Sequence, residues 1–468
     1  MTIALAVLGF LTVSTMLALI MTKKTSPLVA LITVPLVMGV LSCFFFYTDA
    51  ETQQIDFWTN FKSLGGFITG SSGIGAVAST GVMFIFSILF FGILTDAGTF
   101  QPIIKTILKL VGTDPVKITV GTAVLAMLVH LDGSGAVTFL ICIPALLPLY
   151  DALKMRRTTL ATVVALGAGV MNVLPWGGPT VRAASALGEV NVTDFFMPDI
   201  FAEIVGILCV LIAAIMLGRS EKKILKKCAA PVLEESGEQF PEEADRIAYA
   251  APVLSSEEQA LLRPKNFIIN LILILAGIVC LLFSGFPPAV VFMVFFVLAS
   301  VINYPGVKES AARVDAHAKS CLMMCSVLFA AGCFTGIMKE TGMIKAMAEV
   351  LVSIIPESAG RALPLIVGCI SVPASLLFDP DSFYYGVLPV LSETAARFGV
   401  ASASIGRAAI LGQMTLGFPL SPLTAATFLL VGLSGIDLGE HQKKTLPWAW
   451  SISVIMVLAA WLTGGVTI

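Results

Sequence analysis

The sequence predicts an all-α polytopic membrane protein made of two inverted repeats, each with five transmembrane helices and one re-entrant hairpin. Three features point there: a hydropathy profile with little polar relief, apolar stretches interrupted in the middle, and two halves that resemble each other. The chain has 468 residues, 57% hydrophobic and 12% charged, with a mean hydropathy of +0.95. A soluble domain carries about 25% charged residues. A net charge of −2 offers no basic surface for nucleic acid. The nine cysteines are scattered through apolar segments with no CxxC, which reads as small buried hydrophobes.

Windows of ~20 apolar residues mark crossings in chain order. They fall at about 2–21, 27–47, 80–96, 158–188, 195–218, 266–284, 286–303, 318–338, 403–434 and 446–466. The first lacks the basic n-region of a signal peptide and is followed at once by another span, so it reads as a membrane helix. Two further stretches, 116–150 and 362–396, are interrupted by "VHLDGSGAVT" and "LLFDPDSFYYG". Each arm is roughly 15 residues, too short at 1.5 Å per residue to cross a ~30 Å core, so both read as re-entrant hairpins.

Lys and Arg test the layout. With the N-terminus outside, most of the 28 fall in cytoplasmic loops, the linker 219–265 above all. Lys62, Lys339, Lys345, Arg361, Arg397 and Arg407 fall outside. The first hairpin then opens to the cytoplasm, the second to the exterior, and both termini lie outside. The halves also align: "GILTDAG" (92–98) with "GIMKETG" (336–342), "IPALLP" (143–148) with "LPVLSE" (388–393), and "GVMNVLPWGGPT" (169–180) with "GQMTLGFPLSPL" (412–423). The offsets are nearly constant. Five crossings per half force the second half to be inverted. The expected units are therefore an N-terminal repeat 1–218, a cytoplasmic linker 219–265 and a C-terminal repeat 266–468. Inverted repeats with broken helices mark secondary transporters.

The stretch 158–188 exceeds one straight span, and "NVLPWGGPTVRAASALG" (172–188) breaks it. Pro179 suits the first position of the second half-helix, and in the other repeat Ser421 suits the N-cap before Pro422. Such N-termini aim free N–H groups and partial positive charge at mid-membrane. Arg182 lies in the first turn and leans back toward the break. Its guanidinium can take a carboxylate on two prongs, so the place suits an anion. The alternative is an ion pair with a protein carboxylate such as Asp132 or Asp379. The tips carry the opposite sign: His130, Asp132 and Ser134 in the first, Asp379, Asp381 and Ser382 in the second. Asp379 also suits the N-cap of its returning arm, and Asp132 that of the first. These oxygens suit a hard cation such as Mg²⁺, Ca²⁺ or Na⁺. His130 either carries a coupled proton or bonds the tip backbone.

At these residues the chain resembles the CitMHS family, the metal–citrate:proton symporters. The resemblance rests on "LDGSGAVTFLICIPALLPLY", "NVLPWGGPTVRAA", "FYYGVLPVL" and "SPLTAATFLLVGLSGIDLGEHQ" and spans nearly the whole chain. It implies the elevator-type ion transporter superfamily fold, a homodimer in the plasma (inner) membrane, and proton-driven uptake of citrate with a divalent metal, Mg or Ca. It places Asp132, Gly133, Asn172, Gly177, Gly178, Thr180, Arg182, Ser421 and Thr424 in motifs that line the site. The chain has Ser134 where the family has a second acid, and an unusual Asp-Pro-Asp in the second hairpin. The nearest rival is a sodium-coupled di- or tricarboxylate symporter of the same superfamily. A channel is a more distant class. No HExxH motif and only three histidines argue against an intramembrane metalloenzyme, and no permanently bound cofactor is expected.

Overall fold

A computed structural model describes residues 2–22, 24–45, 55–188, 192–229 and 256–468. Among them every regular element is helical. Eight helices among the described residues are long and apolar enough to cross a membrane. Side chains spaced by four on Ile200–Ala229 (Ile204, Leu208, Ile212 and Met216) form an exposed apolar stripe, the face such a helix turns to lipid.

Local chemistry fixes many of the starts. Ser26 accepts from the Val29 N–H at the head of Pro27–Ser42. Asp56, Asp114 and Asp437 do the same for Phe57–Thr69, Pro115–Val129 and Leu438–Thr463. The Val116 N–H, and secondarily Lys222, hold the Asp114 carboxyl below the usual carboxylate range. Pro27 and Pro115 stand at first helical positions, where a missing N–H costs nothing.

The same order of elements recurs in both halves. A long helix (Ile74–Asp96; Val307–Glu340) is followed by a shorter one (Gln101–Val111; Met343–Ile354). Next come a two-armed hairpin (Pro115–Val129 and Gly135–Ala152; Leu363–Ala374 and residues 380–397) and a broken helix (Arg157–Met171 and Gly178–Leu187; Ser402–Ile410 and Ala425–Ser434). A last long helix closes each half (Ile200–Ala229; Leu438–Thr463). The two long early helices lie against each other, with Cys325 and Cys321 donating to the Gly81 and Ile85 carbonyls and Gly332 against the Ile74 backbone. Small residues permit that approach. Each half also lends a helix to the other. Pro27–Ser42 packs on Val307–Glu340, and Pro288–Asn303 packs on Ile74–Asp96.

Several boundaries differ from expectation. The span expected at 80–96 begins at Ile74, and Phe57–Thr69 is a further helix. The span expected at 318–338 runs continuously from Val307 to Glu340, taking in residues assigned to a cytoplasmic loop. The linker 219–265 is helical at both ends, to Ala229 and over Ser256–Leu261. Its middle, like residues 46 and 47 of the second span, lies outside the described residues.

Candidate functional site

The first break spans Asn172–Gly177. Arg157–Met171 ends at Asn172, and Gly178–Leu187 begins after Gly177. The Gly177 N–H donates to the Leu174 carbonyl at 2.7 Å, and the Thr180 hydroxyl to the Val173 carbonyl at 2.6 Å. A Cβ on Gly177 would stand 2.2 Å from the Asn172 carbonyl oxygen, so the turn closes only around glycine. Pro179 takes the second helical position, not the first.

The second break is longer. It contains Met414 with φ of 54°, a left-handed conformation unusual for a side chain of this size. Both its backbone groups are held: its N–H donates to Ser375 Oγ at 2.9 Å, and its carbonyl accepts from Asn172 Nδ2 at 2.9 Å. That second bond joins the breaks, as does Gly169, where a Cβ would meet Leu416 Cα at 2.9 Å. The expected start at Ser421–Pro422 is corrected by the structure: the cap is Thr424 and the half-helix begins at Ala425. Ser421 Oγ accepts from the Leu423 N–H in a turn, and the Thr424 hydroxyl donates back to the Phe418 carbonyl.

Both hairpin tips reach these breaks. In the first, His130–Asp132 forms a short 3₁₀ turn that ends at Gly133, whose φ of 73° suits glycine. Asp132 accepts from the Ser134 N–H at 2.8 Å, so the cap of the returning arm is Ser134 and not Asp132. Trp176 Nε1 donates to the Leu131 carbonyl at 2.8 Å, tying tip to break. His130 Nδ1 lies 2.8 Å from the Thr138 hydroxyl and the ring stacks on Phe418, so Nδ1 bonds the returning arm rather than the tip backbone. In the second tip, Asp379 Oδ1 accepts from the Asp381 and Ser382 N–H groups at 3.0 and 3.1 Å, and the Ser382 hydroxyl donates to Oδ2. The returning arm opens with a π-helical stretch, Ser382–Val387, a feature frequent at functional sites. Tyr384 anchors it by donating to the Gln413 carbonyl at 2.6 Å.

Arg182 meets this second tip. Its Nε donates to Asp381 Oδ1 at 2.7 Å, with the two side chains only 13% and 10% exposed. The guanidinium folds back over the half-helix N-terminus, since a Cβ on Gly178 would lie 2.8 Å from Nη1. The counter-ion is therefore Asp381, not Asp132 or Asp379. A cavity of about 540 Å³ adjoins the tip, lined by Asp379, Thr424 and neighbours on one side and by Ile20 and Thr25–Pro27 on the other. Small-molecule sites commonly measure about 300–1,000 Å³. Among the described residues no three His, Cys, Asp or Glu side chains gather as a metal-ligating group, so Asp132, Asp379 and Asp381 do not form one together.

The structure thus brings Arg182, Gly178, Asp379, Asp381 and Ser382 together, with Thr424 on the cavity wall. Thr180, Ser134, Asp132 and Ser421 use polar groups to hold their own turns, and Asn172 ties the first break to the second. Sequence reasoning passed over Trp176, Ser375, Tyr384 and Gln413, which brace the tips and breaks. The one signal available was a polar Gln413 inside an apolar span.

Comparison with known proteins follows the same lines. A family model described as citrate transporter, CitMHS, matches residues 16–417. A "Citrate transporter" of Bacillus subtilis (strain 168) is 42% identical over 460 residues, covering 98% of this chain and 99% of the relative. A "Mg(2+)/citrate complex secondary transporter" of the same organism is 41% identical over 464 residues, covering 99% of each. The fold is similar to the crystal structure of the YdaH transporter of Alcanivorax borkumensis. The TM-score is 0.56 at 14% identity, over 92% of this chain and 98% of that one. The chain is a multi-pass membrane protein and belongs to the CitMHS family of citrate transporters.

Proposed function

We propose that the protein imports citrate, or a closely related tricarboxylate, as a complex with a divalent cation such as Mg²⁺, coupled to protons. The reading rests chiefly on the Arg182–Asp381 pair between the first half-helix N-terminus and the second hairpin tip. A citrate carboxylate takes the place of Asp381 on the guanidinium and on the free N–H groups beside it. Asp381, released, faces the cation that citrate brings, with Asp379 next to it. Two protein carboxylates are too few for a hard cation's 6–8 oxygen ligands, and citrate with water supplies the rest. The cation is cargo on this reading, not a resident cofactor.

The transport cycle on this reading is alternating access. The two halves are inverted repeats, the hairpins and broken helices, together with the long helix that closes each half, move as one body against the remaining helices, and the protein works as a homodimer. With both termini outside, the loop at Thr25–Pro27 is cytoplasmic, and the cavity beside Asp379 is the inward-facing vestibule. His130, buried on the first tip, is one candidate for the proton that moves with the substrate.

The test is uptake of labelled citrate into proteoliposomes, with Mg²⁺, Na⁺ and pH varied independently. Uptake that needs Mg²⁺ and an inward proton gradient is the expected result. Uptake that follows Na⁺ and ignores both identifies a sodium-coupled carrier instead.

A further inference from the structure

Away from this site, two acids stand in an unusual setting. Asp199 ends the 3₁₀ turn Met197–Asp199, and Glu203 lies in the first turn of Ile200–Ala229. Residues four apart share one helix face. Both side chains are buried, the residues being 0% and 4% exposed, and all their carboxylate oxygens lack a hydrogen-bond partner among the described residues. Arg407 is close enough to act on Asp199, yet its donors go elsewhere. Nε donates to the Phe195 carbonyl at 2.9 Å, Nη1 reaches the Gly465 carbonyl at 3.5 Å, and the guanidinium lies over the Phe195 ring. Gly465 seals the place: a Cβ there would stand 2.6 Å from Asp199 Oδ1 and 2.5 Å from the Pro198 carbonyl oxygen.

The neighbouring elements bring little other charge. Ser402–Ile410 contributes Arg407. Pro115–Val129, which packs along Ile200–Ala229, carries Lys117 in its first turn and ends at His130. Gly178–Leu187 carries Arg182, already paired with Asp381. Arg157–Met171 carries Arg157 at its far end, bonded to Asp151. The chain from 445 to 468 has no Asp, Glu, Lys, Arg or His.

Two buried carboxylates four residues apart, without a hydrogen-bond partner among the described residues, cannot both remain ionised without a heavy desolvation and repulsion cost. A hard cation would need more oxygens than two acids and a few carbonyls offer. One proton resolves both problems. It adds to one carboxylate oxygen and cancels one of the two charges. The remaining single charge faces Arg407.

We propose that Asp199 and Glu203 share a proton and form the site that carries it during citrate transport. The helix that bears Glu203 packs on an arm of the first hairpin and on the first broken helix, so the proton would travel with the body that carries citrate. The proposal rests on the proton-coupled reading given above. The site loads by protonation from outside and empties by releasing the same proton to the cytoplasm.

The experiment counts protons entering per citrate, with a trapped pH indicator and labelled Mg²⁺–citrate in proteoliposomes. It compares the wild type with Asp199→Asn/Glu203→Gln. The double variant removes charge without removing volume. Citrate exchange between equal pools, which needs no net proton movement, checks that it is folded. The expected result is exchange close to wild type with one proton fewer per citrate, and loss of the roughly tenfold accumulation that each coupled proton adds per unit of pH gradient. Should the double variant fail to fold, Glu203→Gln alone carries the test with the same expectation. An unchanged proton count in a variant that exchanges citrate overturns the assignment while leaving proton coupling intact. A wild type that moves no protons overturns the coupled reading, and this site with it. A sodium stimulation of the wild type that the variant loses assigns the pair to a metal cation and also overturns the proposal.

Discussion

Replacing Arg182 by Gln and Asp381 by Asn, singly and together, separates the two roles of their ion pair. The pair is 2.7 Å long and its side chains are 13% and 10% exposed. Removing one partner of a buried pair leaves the other charge unpaired, at a cost of about 3–5 kcal/mol. The residual exposure places each single variant near the lower end, about 3 kcal/mol. Removing both leaves no stranded charge, and such exchanges are often neutral or stabilising. Two single variants of about 3 kcal/mol each against a double variant near neutral give a coupling of about 6 kcal/mol in the double-mutant cycle, because each single strands a charge. Thermal unfolding in detergent reads that part. Citrate uptake reads the other. If Arg182 binds a citrate carboxylate, the double variant regains stability yet stays inactive. A lost hydrogen bond to a charged group is worth about 1.5–3 kcal/mol, so uptake at sub-saturating citrate falls by roughly ten- to a hundredfold. Uptake by the double variant within about twofold of wild type, with stability restored, refutes the reasoning and leaves Arg182 a structural partner of Asp381.

Gly178→Ala and Gly177→Ala, one residue apart, should behave differently. The first puts a Cβ 2.8 Å from Arg182 Nη1, the mobile end of a side chain, so it should impair uptake while the protein folds. The second puts a Cβ 2.2 Å from a backbone carbonyl, so it should lower the yield of folded protein, as expression and size-exclusion profiles will show. Asp379→Asn keeps the Oδ1 acceptor for the Asp381 and Ser382 N–H groups and therefore the fold. If Asp379 faces the cation, the Mg²⁺ midpoint of citrate uptake should rise at least tenfold, about 1.4 kcal/mol; an unchanged midpoint leaves it a cap only. In a cysteine-depleted background, Ala152→Cys at the base of the first hairpin should react with an impermeant thiol reagent from the cytoplasm. Ala396→Cys, exposed at the base of the second, should react from outside, and labelling of both from one side contradicts inverted repeats.

Features carried by local chemistry were legible in the sequence. The Gly-Gly-Pro run marked the first break, and Arg182 does lean back over its half-helix. Pro422 misled because a Ser-Pro pair fits a helix start, whereas here it sits in a turn that Thr424 closes onto the Phe418 carbonyl. The helix Val307–Glu340 was read too short because Lys308, Glu309, Arg313 and Asp315 depress hydropathy without interrupting helical hydrogen bonds. Phe57–Thr69 was missed for a related reason: polar residues and two glycines lie along it, so its apolar face is narrow. The Arg182–Asp381 pairing joins positions 199 residues apart. Three tip carboxylates offered themselves, and the choice depends on how the second hairpin docks on the first broken helix. No local pattern encodes that docking.

The position of that pair has a consequence for leakage in the proposed cycle. Its cation stands on the first half's broken helix and its anion on the second half's hairpin tip, so the tip cannot lift away without separating them. An empty carrier that opened there would strand two charges in a largely dry place. Free citrate satisfies Arg182 but leaves Asp381 without a partner and adds negative charge beside Asp379. A free divalent cation satisfies the acids but leaves Arg182 facing it. Only the two together replace both halves of the broken pair, citrate at the guanidinium and the metal at the carboxylates. The proposed preference for a metal–citrate complex over either component then needs no separate recognition element: it follows from an ion pair that must be exchanged whole.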